Sequence, residues 1–125
     1  SGLGWLDILG VILWVTGFVF ETGGDFQLAR FRADPGNRGK VLQSGFWRYT
    51  RHPNYFGDAA VWWGYGLICL ASGSILPVLG SLLMTGLIIR VSGVPLIERS
   101  LKDSKPGYTE YIRRTSAFFP WFPKK

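Results

Sequence analysis

The chain has 125 residues, with 14 lysines and arginines against 8 aspartates and glutamates, a formal net charge of +6. Aromatic residues make up 16% and charged residues only 18%. Such a balance excludes a disordered chain and fits a single domain. The one cysteine, Cys69, excludes a disulfide framework and a cysteine-rich zinc module, and inside its apolar run it reads as a small buried hydrophobe. There is no initial methionine and Ser1-Gly2 reads as a processing edge, so a fragment of a longer protein is expected.

Residues 2–20 (GLGWLDILGVILWVTGFVF) hold a single charge, Asp7. At 1.5 Å per residue this stretch reaches roughly 28 Å, close to a ~30 Å hydrocarbon core. It lacks a basic leader and runs into a polar segment, which makes a signal peptide a poor reading. Residues 31–45 (FRADPGNRGKVLQSG) are turn-rich, broken by Pro35-Gly36 and Gly39. Residues 56–72, with Asp58 as the sole charge, form a second apolar run. Residues 75–89 form a third, uncharged until Arg90, with a helical pattern continuing toward Glu98. The last two fall short of the ~20 residues of a comfortable span, so bilayer thinning or snorkelling flanks must help. Gly57, Ala60 and Gly64 recur at i, i+3, i+7, a packing stripe that lets another helix approach closely. Trp62, Trp63 and Tyr65 supply bulk on the other faces, while Trp5, Trp14, Trp47 and Trp121 read as interfacial anchors or packing. Lys105-Pro106-Gly107 breaks the tail. The expected fold is an all-α membrane protein, with three transmembrane helices, cytoplasmic loops and short helices, forming the C-terminal part of a larger bundle.

The charges outside the runs set an orientation. Arg30, Arg32, Arg38, Lys40, Arg48 and Arg51 lie between the first and second runs, and eight further lysines and arginines follow residue 89. The link around Gly73 and Ser74 carries none. The positive-inside rule puts both basic blocks in the cytoplasm and the Gly73 turn outside. It accounts for the basic balance without nucleic acid, which is not expected as a partner; the lipid bilayer is.

This topology gathers polar residues at one level. Glu21 and Asp25 end the first span, Asp58 lies one turn past Asn54 at the start of the second, and Arg90 closes the third, with Glu98 about two turns on. Charges at such depth are costly and face a cavity or a partner, although helix-end anchoring is the plainer alternative. Glu21 and Asp25 share a helix face at i, i+4 and repel unless bridged, by Arg30 or Arg32 for example. Alternatively, they accept hydrogen bonds from ribose hydroxyls. Arg32, Arg38, Arg48, Arg51 and Arg90 offer the guanidinium forks that suit phosphate, so a nucleotide fits the group better than a bare anion. His52 is the only histidine and has no cysteine beside it, so no metal is expected. No P-loop, G-x-G-x-x-G or serine-histidine-acid order is present, so a dinucleotide site here is not a Rossmann fold.

Residues 45–58, GFWRYTRHPNYFGD, resemble the signature of the steroid 5-alpha-reductase C-terminal-domain family, in its bacterial branch of membrane proteins. The upstream ETGGDFQLARFRADPGNRGKV and the later RVSGVPLIE, Tyr108, Tyr111 and Phe118-Phe119-Pro120 fit the same family, so the likeness spans nearly the whole chain as one domain, residues 1–125. The resemblance implies a multi-helix membrane reductase that uses NADPH to reduce an activated C=C of a hydrophobic small molecule, through a cavity open to the cytoplasm. It places Asp25 and Arg32 at the adenosine and phosphate end, Asn54 and the following Asp58 at the cofactor, and Arg90 at the opening of the last cofactor-binding segment. Glu21 stands where the steroid enzymes carry an amide. Arg38, Arg51, His52, Tyr55 and Glu98 complete the candidate cofactor-binding set; Val94, Pro95 and Glu98 depart from the family's usual contacts. The resemblance also puts the substrate-polarising acid and tyrosine in N-terminal helices absent here. No catalytic residue is therefore assigned, and the fragment alone is not expected to turn over. Two rival readings remain open: an isoprenylcysteine-type S-adenosylmethionine-dependent membrane methyltransferase, which shares R-H-P-x-Y-x-G, and a non-catalytic membrane protein of the same fold.

Overall fold

The computed structural model describes residues 4–91 and 94–124. Its elements are α1 (Trp5–Ala33), a 3-10 turn (Pro35–Asn37), α2 (Phe46–Tyr49), α3 (Pro53–Ala71), α4 (Leu76–Arg90), α5 (Val94–Ser104) and α6 (Tyr108–Arg114). There is no strand among the described residues. Asp7 starts α1, its carboxylate accepting from the Gly4 amide at 3.0 Å. This explains a lone acid at the end of an apolar run, since a carboxylate satisfies the free amides of a helix N-terminus. The helix does not stop where its uncharged stretch does. It continues from Phe20 through Glu21 to Ala33, so the two acids lie well inside it. At the other turn, Gly73 adopts φ +96, and its amide donates to the Leu70 carbonyl at 3.0 Å while Ser74 donates to Cys69. Left-handed backbone after a helix end favours glycine, and the turn folds α4 back onto α3.

Two stretches are long and apolar enough to cross a membrane, Trp5–Ala33 and Leu76–Ser104, each with mean hydropathy 1.6. Only 11% and 12% of their apolar windows are buried inside the structure, unlike the core helix of a soluble domain. The second stretch comprises α4 and α5. The expected second span, α3, does not reach this standard, so two of the three expected spans meet it. Its 19 residues include Asn54, Asp58, three glycines, two tryptophans and two tyrosines, which lower its hydropathy. Gly2 and Leu3 of the first expected span, and Ser92 and Gly93 of the pattern toward Glu98, lie outside the described residues.

α3 is the central element. Pro53, Gly57, Ala59, Ala60, Gly64 and Gly66 are buried, and the stripe foreseen at Gly57, Ala60 and Gly64 packs against α1. α1 answers with glycines of its own. A Cβ placed on Gly64 would stand 2.6 Å from the Gly10 carbonyl oxygen, and one on Gly17 would stand 2.5 Å from the Gly57 carbonyl oxygen. No side chain fits there, so the two backbones meet directly, as small-residue helix pairs do in lipid. α4 is tied to α3 by polar contacts: Ser81 Oγ donates to the Trp62 carbonyl at 3.0 Å, and Trp63 Nε1 donates to Thr85 Oγ1 at 2.9 Å. Phe20 packs edge-on against both Phe46 of α2 and Phe56 of α3.

Gly17→Val is expected to separate α1 from α3. Forcing a branched side chain into a filled contact costs at least about 1–3 kcal/mol. A lowered melting temperature in detergent, with Gly80→Val unchanged because nothing stands near Gly80, is the outcome to look for.

Candidate functional site

The segment Thr50-Arg51-His52-Pro53 enters α3, with Pro53 in its first turn. Its residues are buried, and the tail holds them through backbone. Thr50 Oγ1 donates to the Phe118 carbonyl at 2.8 Å and accepts the His52 amide at 3.1 Å. The Arg51 amide donates to the Ser116 carbonyl at 2.8 Å, and Arg51 Nε donates to the Thr115 carbonyl at 3.0 Å. Trp47 Nε1 reaches the Gly24 carbonyl of α1 at 3.0 Å, and the Tyr111 hydroxyl donates to the Trp47 carbonyl. Gly107, at φ +88, provides the reversal that starts α6 and delivers Tyr108 and Tyr111 to this point.

Glu98 of α5 closes the cluster. Its Oε2 takes an ion pair from Arg51 Nη1, lies 3.0 Å from His52 Nε2, and accepts at 3.5 Å from the Tyr108 hydroxyl. Burial, with the Glu98 carboxylate second, pushes the Tyr108 hydroxyl far above the usual tyrosine range, and burial does the same for Tyr111. Both therefore stay protonated and act as donors. Arg51, His52 and Glu98 thus satisfy one another inside the protein. Of the three, Arg51 and His52 present a surface to the adjoining cavity.

That cavity, of about 360 Å³, lies between α1, the α2–α3 entry, α5 and α6. Arg32, Arg51, His52, Asn54 and Tyr55 of the sequence-derived set line it, with Trp47, Tyr108 and Tyr111. His52 stacks on Tyr55 with ring centroids 5.6 Å apart. Leu96, Ile97 and Leu101 of α5 make the apolar wall opposite. A second hollow, of about 380 Å³, contains Arg32, Arg38 and Lys105 beside the Pro35–Asn37 turn. Arg32 and Lys105 border both, so an aromatic and apolar space opens beside a basic one.

The acids form a separate group. Asn54 Nδ2 donates to Asp25 Oδ1 at 3.2 Å, and Glu21 faces Asp58 with Asp25 nearby. Asp25 is thus met by Asn54, while Arg30 lies over the Phe26 ring. Asn54 joins the acidic seam to the cavity wall. Glu21, Asp25 and Asp58 line neither hollow. Arg90 is exposed and also lines neither; it follows Ile88 and Ile89, which pack against the core of Ala59, Val94 and Phe118. Among the described residues, no group of three His, Cys, Asp or Glu side chains is placed to hold a metal ion.

Lys105 was not foreseen as a site residue, since beside Pro106-Gly107 it reads as part of a chain break. Tyr108 and Tyr111 entered the sequence reading through the family resemblance, with no site role; their places on α6 bring both to the cavity.

A family profile described as "Protein of unknown function (DUF1295)" matches residues 1–115. The chain is 31% identical over 123 residues to the Delta(14)-sterol reductase of Ascobolus immersus, covering 87% of this chain and 26% of that protein. It is 36% identical over 61 residues to human 3-oxo-5-alpha-steroid 4-dehydrogenase 1, covering 48% of this chain and 23% of that protein. It is 29% identical over 66 residues to the steroid 5-alpha-reductase DET2 of Arabidopsis thaliana, covering 51% and 24%. The chain spans about a quarter of the length of these relatives.

Glu98→Ala leaves the Arg51 guanidinium buried without its counter-charge and is expected to cost about 3 kcal/mol. Glu98→Gln, which keeps an acceptor, should cost less in the same melts. Tyr111→Phe, which strips a donor from the Trp47 carbonyl, is expected to cost about 1–3 kcal/mol by the same measurement.

Proposed function

The chain belongs to the DUF1295 family, a steroid 5-alpha-reductase-like family, and on that premise we propose that it is the cofactor-binding part of a membrane-embedded NADPH-dependent reductase. The bond reduced is an activated C=C in a lipid: the enone of a steroid, an isoprenoid or a fatty chain. The relatives named sterol reductase and 3-oxo-5-alpha-steroid 4-dehydrogenase support the reaction class.

The observation that carries the reading is the pair of adjoining hollows sharing Arg32 and Lys105. Three cations border the second hollow, and fixed guanidinium and ammonium groups suit phosphates. The first has aromatic and aliphatic walls with a few polar groups, which suits a planar ring that must be oriented. The chemistry of the donors therefore fits a phosphorylated dinucleotide, with Arg32, Arg38 and Lys105 at the phosphates and Asn54, His52 and Tyr55 at the ring end. Asp25 lines neither hollow, and its proposed place at a ribose hydroxyl rests on its hydrogen bond to Asn54, which does line the cavity. The Arg51–Glu98–His52 cluster holds the cavity floor in place. Glu21, Asp58 and Arg90 complete the polar level around the site. When bound, NADPH supplies the hydride for the β-carbon of the activated bond. In this reading α3 also spans, as the second of three and shielded by α1 and α4, and the basic segments and C-terminus face the cytoplasm. The lipid bilayer and a hydrophobic substrate are its partners.

Titration of the full-length protein in detergent tests the proposal. NADPH should raise the melting temperature, and Arg32→Ala with Lys105→Ala should weaken its binding about tenfold or more per lost phosphate contact. Stabilisation by S-adenosylmethionine and not by NADPH would establish the methyltransferase reading in its place.

A further inference from the structure

The C-terminal segment after α6 presents three exposed aromatic side chains, Phe119 (63% exposed), Trp121 (71%) and Phe122 (75%). They are not on a loose tail. The Trp121 amide donates to the Tyr49 carbonyl at 2.9 Å, Phe122 packs edge-on against Tyr49, and Phe119 against Phe56. The Lys124 amide donates to the Arg114 carbonyl at 2.7 Å, and Arg114 Nε donates back to the Lys124 carbonyl at 3.3 Å. Arg48 stands over the Tyr49 ring. A rigid patch thus combines exposed rings with three cations, Arg48, Arg114 and Lys124.

Its depth is set by what it touches. Phe119 leans on Phe56, and Phe56 leans on Phe20, the last residue of the uncharged part of α1. Glu21 follows at once. The rings therefore stand at the boundary where the apolar surface of the helix gives way to charge. Aromatic rings concentrate at that depth in membranes, and lysine and arginine beside them attract anionic headgroups.

We propose that Phe119, Trp121 and Phe122 with Arg48, Arg114 and Lys124 form a docking surface for the anionic headgroups of the surrounding bilayer. The rings enter the headgroup–acyl boundary and the cations engage lipid phosphate. The surface is separate from the two hollows and does not depend on any cofactor.

The protein reconstituted into nanodiscs of phosphatidylcholine, with and without phosphatidylglycerol, tests this. The Trp121 signal is isolated as the fluorescence difference between wild type and Trp121→Phe. It should be quenched by brominated lipid and protected from acrylamide in water. Native mass spectrometry should find phosphatidylglycerol retained in preference to phosphatidylcholine. That preference should fall about fivefold for each cation removed in Arg48→Gln, Arg114→Gln and Lys124→Gln. Lys124→Glu alone, a change of two charge units at an exposed position whose hydrogen bonds are to backbone, should lower it about 25-fold if the triple variant does not fold. Quenching by acrylamide and not by lipid would put the rings in water. Protection from both would mean that protein covers them. A lipid preference surviving the loss of all three cations would remove the headgroup from the account. Any of these overturns the proposal.

Discussion

The contact between the α1 and α3 backbones sets the position of everything else. Gly10 and Gly17 on one helix face Gly57 and Gly64 on the other, with no room for a Cβ between them. In lipid there is no hydrophobic gain from hiding one apolar helix against another, so close van der Waals contact must hold the pair. That contact fixes how the polar ends meet. Because α1 and α3 cross at Gly17 and Gly57, Glu21 faces Asp58 and Asp25 reaches Asn54 one turn further. Past this point Gly24 lies against Pro53, and its carbonyl accepts from Trp47.

The tail supplies the other half of the frame. Thr115, Ser116 and Phe118 offer backbone carbonyls to Arg51 and Thr50, while Tyr111 donates to Trp47. A buried arginine with its amide and Nε both bound to backbone has little freedom, and Glu98 neutralises it from a third direction. α5, which supplies Leu96, Ile97 and Leu101 to the cavity's apolar wall, is joined to the α3 entry by this carboxylate and to α3 by the packing of Val94 with Ala59. The same residue therefore decides local charge balance and cavity shape.

Much of this was legible in the sequence, for identifiable reasons. The Gly57–Ala60–Gly64 stripe announces close approach because only small side chains permit it. The turn at Gly73 follows from an uncharged break between two apolar runs. The gathering of Asp25, Asn54 and Asp58 follows from charges too costly to face hydrocarbon alone. Other features were hidden. The first apolar run ends at Phe20, where charge begins, but α1 runs on to Ala33, with Gly24 buried against Pro53 and Gly23 against the Phe46 ring. α3 looked like a span from its near absence of charge, but its glycines and hydroxyl- and indole-bearing rings hold its hydropathy down. Glu98 reads as a candidate cofactor-binding residue, and its pairing with Arg51 and His52 is not legible because they lie 47 and 46 residues away in the chain. Periodicity carries no information about such contacts.

The extension of α1 beyond Phe20 gives the molecule a ruler. Arg32 stands twelve positions past Phe20 on one unbroken helix, about 18 Å along its axis. Each added or deleted residue within that arm would shift the guanidinium by about 1.5 Å and swing it through about 100°, taking it out of the border between the hollows. The turn region beyond Ala33 carries no such phase relation. Insertions and deletions between homologues should therefore collect after Ala33 and leave the arm's residue count untouched.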